Sequence, residues 1–375
     1  MQQNRNTFLA IALSLVVLLA WQVFYVNPKV EAERRAAEIR RQQEQSQLQP
    51  SGTAEPGTPG FADVPATPAL QGTAPGGLVD PAVAIARNPR VEVDTPRLVG
   101  SINLKGARLD DLRLKGYHQT ISKQSPLVTL LSPSETRGGY FVEFGWISLL
   151  PGVPVPGPDT VWTASQGARL TPETPITLSW ENGQGLRFIR TVAVDRDYMF
   201  EVTDQVENSA TAAASLRPYG RVTRFETPPS EAAFVLHEGL IGVLGAQGLQ
   251  QITYSDLKDD REFKIAEPVE GGWLGITDKY WAAAIIPQDS YRPTFTFADQ
   301  GRDSYQADYV GSTVEVASGQ AQEIRQRLFA GAKIVDVVDG YQERFNILNF
   351  DLLIDWGWFY FITKPMCIVM DWFFV

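Results

Sequence analysis

The chain has 375 residues, one Cys, two His and a formal net charge of -10 at pH 7. That length supports one large or two ordinary domains with a buried core. The acidic balance argues against nucleic acid as a partner, because phosphate affinity rests on Lys and Arg displacing counterions. With Cys367 alone, no intrachain disulfide forms and no cysteine cluster holds zinc.

From Phe8 to Val26 the sequence is uncharged and apolar, matching the ~20 residues that a helix needs to cross a hydrocarbon core. Residues 1–27 therefore read as a transmembrane anchor, with Phe8, Leu13, Val17, Trp21 and Tyr25 as candidate lipid contacts. Trp21 and Tyr25 suit the headgroup level, and Asn27-Pro28 ends the helix. A cleaved signal would close on small residues, whereas this run closes on aromatics, so the anchor is expected to stay attached. Cation counting sets Arg5 on one flank against Lys29, Arg34, Arg35, Arg40 and Arg41 on the other. It leans toward a cytoplasmic far side, although long domains translocate largely regardless of charge.

Residues 28–87 read as a spacer: first charged and Ala/Gln-rich without an apolar stripe, then rich in Pro, Gly, Ala, Thr and Ser. The charged part either extends the helix as a solvated stalk or stays mobile, and from Leu48 to about Gly77 the composition buries too little apolar surface to offset ordering entropy. From Asn88 the pattern turns period-two. Ile176, Leu178 and Trp180 alternate with polar residues before Glu181-Asn182-Gly183, which suits a hairpin turn. Leu186, Phe188, Val192 and Val194 share one parity, Asp195-Arg196-Asp197 interrupts, and Tyr198, Phe200, Val202 and Val206 resume it. The same grammar recurs at Ile102 to Leu114, Trp273 to Ile286 and Phe295 to Tyr309. Short strands with tight turns and no interleaved helices predict an all-β dominated, large antiparallel β-sandwich over 88–346. Trp146, Trp162, Trp180 and Trp273 are read most simply as its core, with a peptide-binding patch as the alternative for any that proves exposed. Gly239, Gly242, Gly245 and Gly248 are read as loop or turn, lacking the order of a phosphate-cradling motif.

Ile334, Val337, Val338, Tyr341 and Phe345 fall on one face of a 3.6-residue repeat, predicting a closing helix on a sheet, with Gly340 costing it ~1 kcal/mol. Residues 347–375 then carry Asp355, Lys364 and Asp371 inside an aromatic run. Charges there make it a poor spanning helix. Tyr360, Lys364, Cys367 and Asp371 align as a narrow polar stripe, so a helix lying in the membrane interface fits, and a buried core helix remains open. Its candidate membrane-interface residues are Trp356, Trp358, Phe359, Phe361, Ile362, Pro365, Ile368, Val369, Trp372 and Phe373. The run stops without a polar tail, which points to further membrane segments in the complete protein.

Three segments resemble the YidC family. Phe350 to Pro365 resembles that family's D-aromatic-G-W-x-x-x-I-x-x-P stretch, where a periplasmic domain joins the first interfacial helix. Gly272 to Trp281 resembles its G-W hairpin, followed by a small-residue strand ending in Ile286-Pro287. Phe329 to Lys333 resembles its x-x-G-P-K entry to the closing helix, with Ala332 in place of proline. Asn4-Arg5-Asn6 before an apolar span also looks like the family's start.

The resemblance implies a membrane protein insertase of the bacterial inner membrane, multi-pass when complete, with a cytoplasmic N-terminus and residues 28–346 periplasmic. It implies a galactose mutarotase-like supersandwich with no catalytic, metal or cofactor site. The implied partners are the lipid bilayer, nascent membrane proteins, the Sec translocon with its accessory subunits, and the ribosome through later sequence. Insertion in the family is attributed to a hydrophilic groove with an arginine in later membrane helices, which no residue here matches. Two alternatives differ in class: a membrane-tethered periplasmic scaffold or chaperone, and a mutarotase-like sugar-binding enzyme. The enzyme needs a His and a carboxylate converging, whereas His237 and Glu238 as strand neighbours would face opposite ways.

Overall fold

The computed structural model describes residues 77–229, 236–299 and 301–355. The first described element is helix α1 (Pro81–Ala86), capped by the Asp80 carboxylate accepting from the Ala82 N–H at 2.8 Å, with Pro81 at the first helical position. Ala84 is buried, so residues ahead of the Asn88 boundary read from composition are already packed.

Seven strands follow: β1 (Arg90–Asp94), β2 (Leu98–Asn103), β3 (Arg108–His118), β4 (Leu127–Leu131), β5 (Tyr140–Ser148), β6 (Thr163–Ala164) and β7 (Arg169–Leu170). Next come β8 (Ile176–Glu181), β9 (Leu186–Val194), β10 (Met199–Asn208), β11 (Ala214–Phe225), β12 (Gly239–Leu244) and β13 (Leu249–Thr253). Helix α2 (Tyr254–Asp260) precedes β14 (Glu262–Lys264), β15 (Gly272–Thr277), β16 (Trp281–Pro287), β17 (Tyr291–Asp299), β18 (Asp303–Gly311), β19 (Val314–Val316) and β20 (Ala321–Ala332). Helix α3 (Val335–Phe345) and a 3-10 turn at Phe350–Leu353 complete the described chain.

The strands form two sheets. One runs β14-β17-β18-β11-β5-β3-β2-β1-β7, with β4 on β3 and β19 on β11; the other runs β13-β12-β15-β16-β20-β10-β9-β8-β6. Pairing is antiparallel save for a short parallel contact of β1 with β7. The expected hairpins are present. Val194 pairs with Phe200 across the turn where the Asp195 carboxylate accepts from the Asp197 and Met199 N–H groups. Gly183 and Gly185 take positive φ between β8 and β9, the backbone region in which glycine meets no Cβ penalty. The glycine series divides: Gly239 and Gly242 lie within β12, a departure from the loop expectation, while Gly245 and Gly248 form the turn after it.

The sheets pack face to face. The Tyr140 hydroxyl donates across them to the Ile276 carbonyl at 3.0 Å, and Trp146 lies 6.3 Å from Phe188. Trp146, Trp162 and Trp273 are 1%, 3% and 0% exposed and Trp180 packs partly buried on the same core, its ring 5.8 Å from that of Phe188, so the core expectation holds for all four. On the opposite face of β5 from Trp146, Glu143 receives hydrogen bonds from Arg108 at 2.6 Å and from Arg221. Burial alone would raise that carboxyl, but the two guanidinium groups outweigh it and hold it at about 2.

Helix α3 closes the domain as the 3.6-residue pattern predicts. Val338 and Tyr341 face inward, and the Tyr341 hydroxyl donates to Asp195 at 2.8 Å while accepting from the Tyr198 and Met199 N–H groups. Asn346 ends the helix in the left-handed region.

The predicted anchor and its residues Phe8, Leu13, Val17, Trp21 and Tyr25 lie outside the described residues, as do most of the spacer and every interface candidate from Trp356 to Phe373. Among the described residues no helix is long and apolar enough to cross a membrane.

Candidate functional site

The three segments that carry the family resemblance are far apart in sequence and meet at one end of the sandwich. Gly272 to Trp281 forms β15, its turn and the first residue of β16. Phe329 to Lys333 ends β20, which pairs with β16 through Trp281 and Ala332. The Lys333 N–H donates to the Tyr280 carbonyl at 2.8 Å, and its ammonium donates to the Thr277 hydroxyl at 3.0 Å. The third segment is drawn in by Trp273, whose indole N–H donates to the Leu348 carbonyl at 3.2 Å. Its ring meets Phe350 edge-on at 5.5 Å, and Phe350 in turn meets Phe329 at 5.6 Å. Two backbone approaches make this close. A Cβ on Gly331 would stand 2.1 Å from the Tyr198 ring, and Gly272 combines a φ of +91° with the Val243 carbonyl at 1.9 Å from any Cβ.

These contacts carry the chain to Asp355 at the rim of a cleft of about 620 Å³. Tyr117 and His118 from the end of β3, Lys279 and Tyr280 from the β15–β16 turn, Trp281, Lys333 and Ile354 line it. The Lys279 ammonium sits 5.0 Å over the Tyr280 ring, and the Tyr280 and Trp281 rings are 5.8 Å apart. Burial pushes the Lys333 ammonium down to about 8, against the upward pull of Asp278, Asp355 and Glu238. Asp278 is bound by Arg224 at 2.6 Å, and Asp355 accepts the His237 N–H at 2.7 Å.

The histidines are tied to backbone. His118 Nδ1 lies 2.7 Å from the Ser125 carbonyl oxygen and His237 Nε2 lies 2.9 Å from that of Leu240. Burial lowers the His237 pKa below the ordinary imidazole value. His237 and Glu238 precede β12 instead of lying within a strand, so the alternation argument does not apply to them. Among the described residues no group of His, Cys, Asp and Glu is placed to hold a metal ion. The cleft is lined by the rings of Tyr117, Tyr280 and Trp281, by Lys279 and Lys333, and by the Asp355 carboxylate.

Sequence reasoning placed its site residues on the flanking apolar segments, outside the described residues, and did not single out Tyr117, Lys279 or Lys333. Lys279, Tyr280, Trp281 and Lys333 were nonetheless inside the motifs. What was missing was the tertiary contact that joins those motifs.

Residues 90–369 match the family model described as the YidC periplasmic domain. The chain is similar over its whole length to the membrane protein insertase YidC of Rhizobium meliloti (strain 1021), at 51% identity, covering 62% of that protein. It is similar likewise to the membrane protein insertase YidC of Brucella suis biovar 1 (strain 1330), at 47% identity and 63% of that protein's length. Among solved structures, a galactose mutarotase-like protein from Lactobacillus casei ATCC 334 aligns with 64% of this chain and 99% of its own, at 10% identity and a TM-score of 0.42.

Proposed function

Because the chain belongs to the YidC family, we propose that it forms the membrane anchor and periplasmic domain of a membrane protein insertase, assisting apolar segments into the bacterial inner membrane. The observation that carries this is the match of 90–369 to the YidC periplasmic domain within a chain about half identical to named insertases throughout. The chain spans 62% of the length of that relative, so insertion is proposed for the whole protein and the described domain is given a supporting role.

In this reading residues 1–27 anchor the chain with the N-terminus in the cytoplasm, 28–87 form a spacer, 88–346 stand in the periplasm and 347–375 lie along the membrane interface. Trp356, Trp358, Phe359, Phe361 and Ile362 seat that last segment, with α3 as its mount. Nascent membrane proteins are the substrates, with the Sec translocon, its accessory subunits and the ribosome as working partners.

A chimera tests this. The chain replaces the matching portion of the Rhizobium meliloti insertase in cells depleted of their own. Restored growth is expected. A chimera that accumulates in the membrane yet leaves the cells without insertase activity would contradict the reading and favour a tethered scaffold or chaperone.

A further inference from the structure

The cleft end of the domain carries an unusual combination for a chain with a net charge of -10. Beyond His118, the loop between β3 and β4 is pinned by the Ser125 hydroxyl, which accepts the Thr120 N–H at 3.1 Å and donates to the Ser122 carbonyl at 2.8 Å. This held tip presents Ile121, 104% exposed, beside the exposed Lys123. Across the cleft stand Tyr280, 57% exposed, Leu236, 38% exposed, and the ammonium groups of Lys279 and Lys333.

We propose that this end of the domain is a docking surface for an anionic phospholipid bilayer, with Ile121 and Tyr280 reaching the acyl boundary while Lys123 and Lys279 hold lipid phosphates. The inference rests on the membrane-anchored reading above and goes beyond it, because it gives the folded body its own contact with lipid.

A lone exposed isoleucine is ordinary. Here the apolar side chains share one end with Lys123 and Lys279. Continuity of the chain selects a bilayer as the occupant over a soluble protein. Asp355 sits at the cleft rim, and the sequence proceeds from it into Trp356-Gly357-Trp358-Phe359, the amphipathic aromatic composition favoured at a membrane–water boundary. Tyrosine beside lysine supplies both halves of that boundary, a ring for the headgroup level and an ammonium that snorkels to phosphate.

The test uses the full chain with Cys367→Ala and an environment-sensitive fluorophore on Gln124→Cys at the tip, or on Gln184→Cys in the β8–β9 turn at the far end of the strands. Each is reconstituted into vesicles of phosphatidylcholine, with or without phosphatidylglycerol. With phosphatidylglycerol the tip label should shift to the blue and be quenched by brominated acyl chains, and the Gln184→Cys label should do neither. Ile121→Asp should abolish the tip signal. Lys123→Glu and Lys279→Glu should each reduce tip partitioning about fivefold or more. A chain that floats with the vesicles while its tip label stays aqueous in both compositions would overturn the docking surface and leave the anchor reading intact. An equal tip signal in the two compositions would overturn the phosphate contacts. Failure to float would overturn the anchor reading itself.

Discussion

The guanidinium of Arg190 on β9 meets the carboxylate of Asp204 on β10 side-on, Nε to Oδ1 at 2.6 Å and Nη2 to Oδ2 at 2.9 Å, with both side chains almost wholly buried. The pair stands between the sheets, the guanidinium 5.1 Å from the Trp162 ring and Asp204 also accepting from Gln326 at 3.4 Å. Charges removed from water in this way persist only when paired and hydrogen-bonded.

Removing one partner leaves the other buried and uncompensated. Asp204→Leu alone should therefore lower stability by about 3–5 kcal/mol in urea unfolding. Arg190→Met together with Asp204→Leu should recover most of that loss, since matched apolar residues can replace a buried pair. A double variant as unstable as the single one would show that the pair contributes more than mutual compensation.

That pair also marks where the sequence was legible and where it was not. The alternation Leu186, Phe188, Val192, Val194 skips position 190, and Tyr198, Phe200, Val202, Val206 skips 204. Hydrophobic periodicity located both strands and their inward face, yet it has no vocabulary for two charges that cancel across a ladder. The register that aligns Arg190 with Asp204 is tertiary information. The closing helix was legible because five apolar residues share one face, whereas the cleft was not, because Tyr117, Tyr280 and Lys333 come from three segments joined only by folding.

Lys333 gives the domain an alkaline signature. Its folded value of about 8 lies below its unfolded value of 10.5, so the folded state releases its proton first. The cost of burying the ammonium is fully present below about pH 8 and is relieved as pH rises toward 10.5, adding about 1–2 kcal/mol once solvent screening at the cleft mouth is allowed for. Lys333→Met should remove this rise. Stability curves for the two proteins that stay parallel from pH 7 to 10.5 would rule the assignment out.

Two glycines near α3 should respond in opposite directions to the same change. Gly331→Ala drives a Cβ into the Tyr198 ring, with three ring and Cβ atoms closer than 2.6 Å, and should cost about 1–3 kcal/mol. Gly340→Ala meets nothing within 4 Å on the exposed side of the helix and should add about 0.5–1 kcal/mol. Thermal unfolding of the two variants decides it, and a gain from Gly331→Ala would contradict the packing of β20 against Tyr198.

Sidedness tests the central claim most directly. In a Cys367→Ala background, Gln184→Cys and Gln3→Cys are exposed separately to a membrane-impermeant maleimide in intact spheroplasts. The account predicts that Gln184→Cys is labelled at once, from outside, and that Gln3→Cys is labelled only after the membrane is opened. Labelling of Gln184→Cys only after permeabilisation would place the β-sandwich in the cytoplasm and contradict the account.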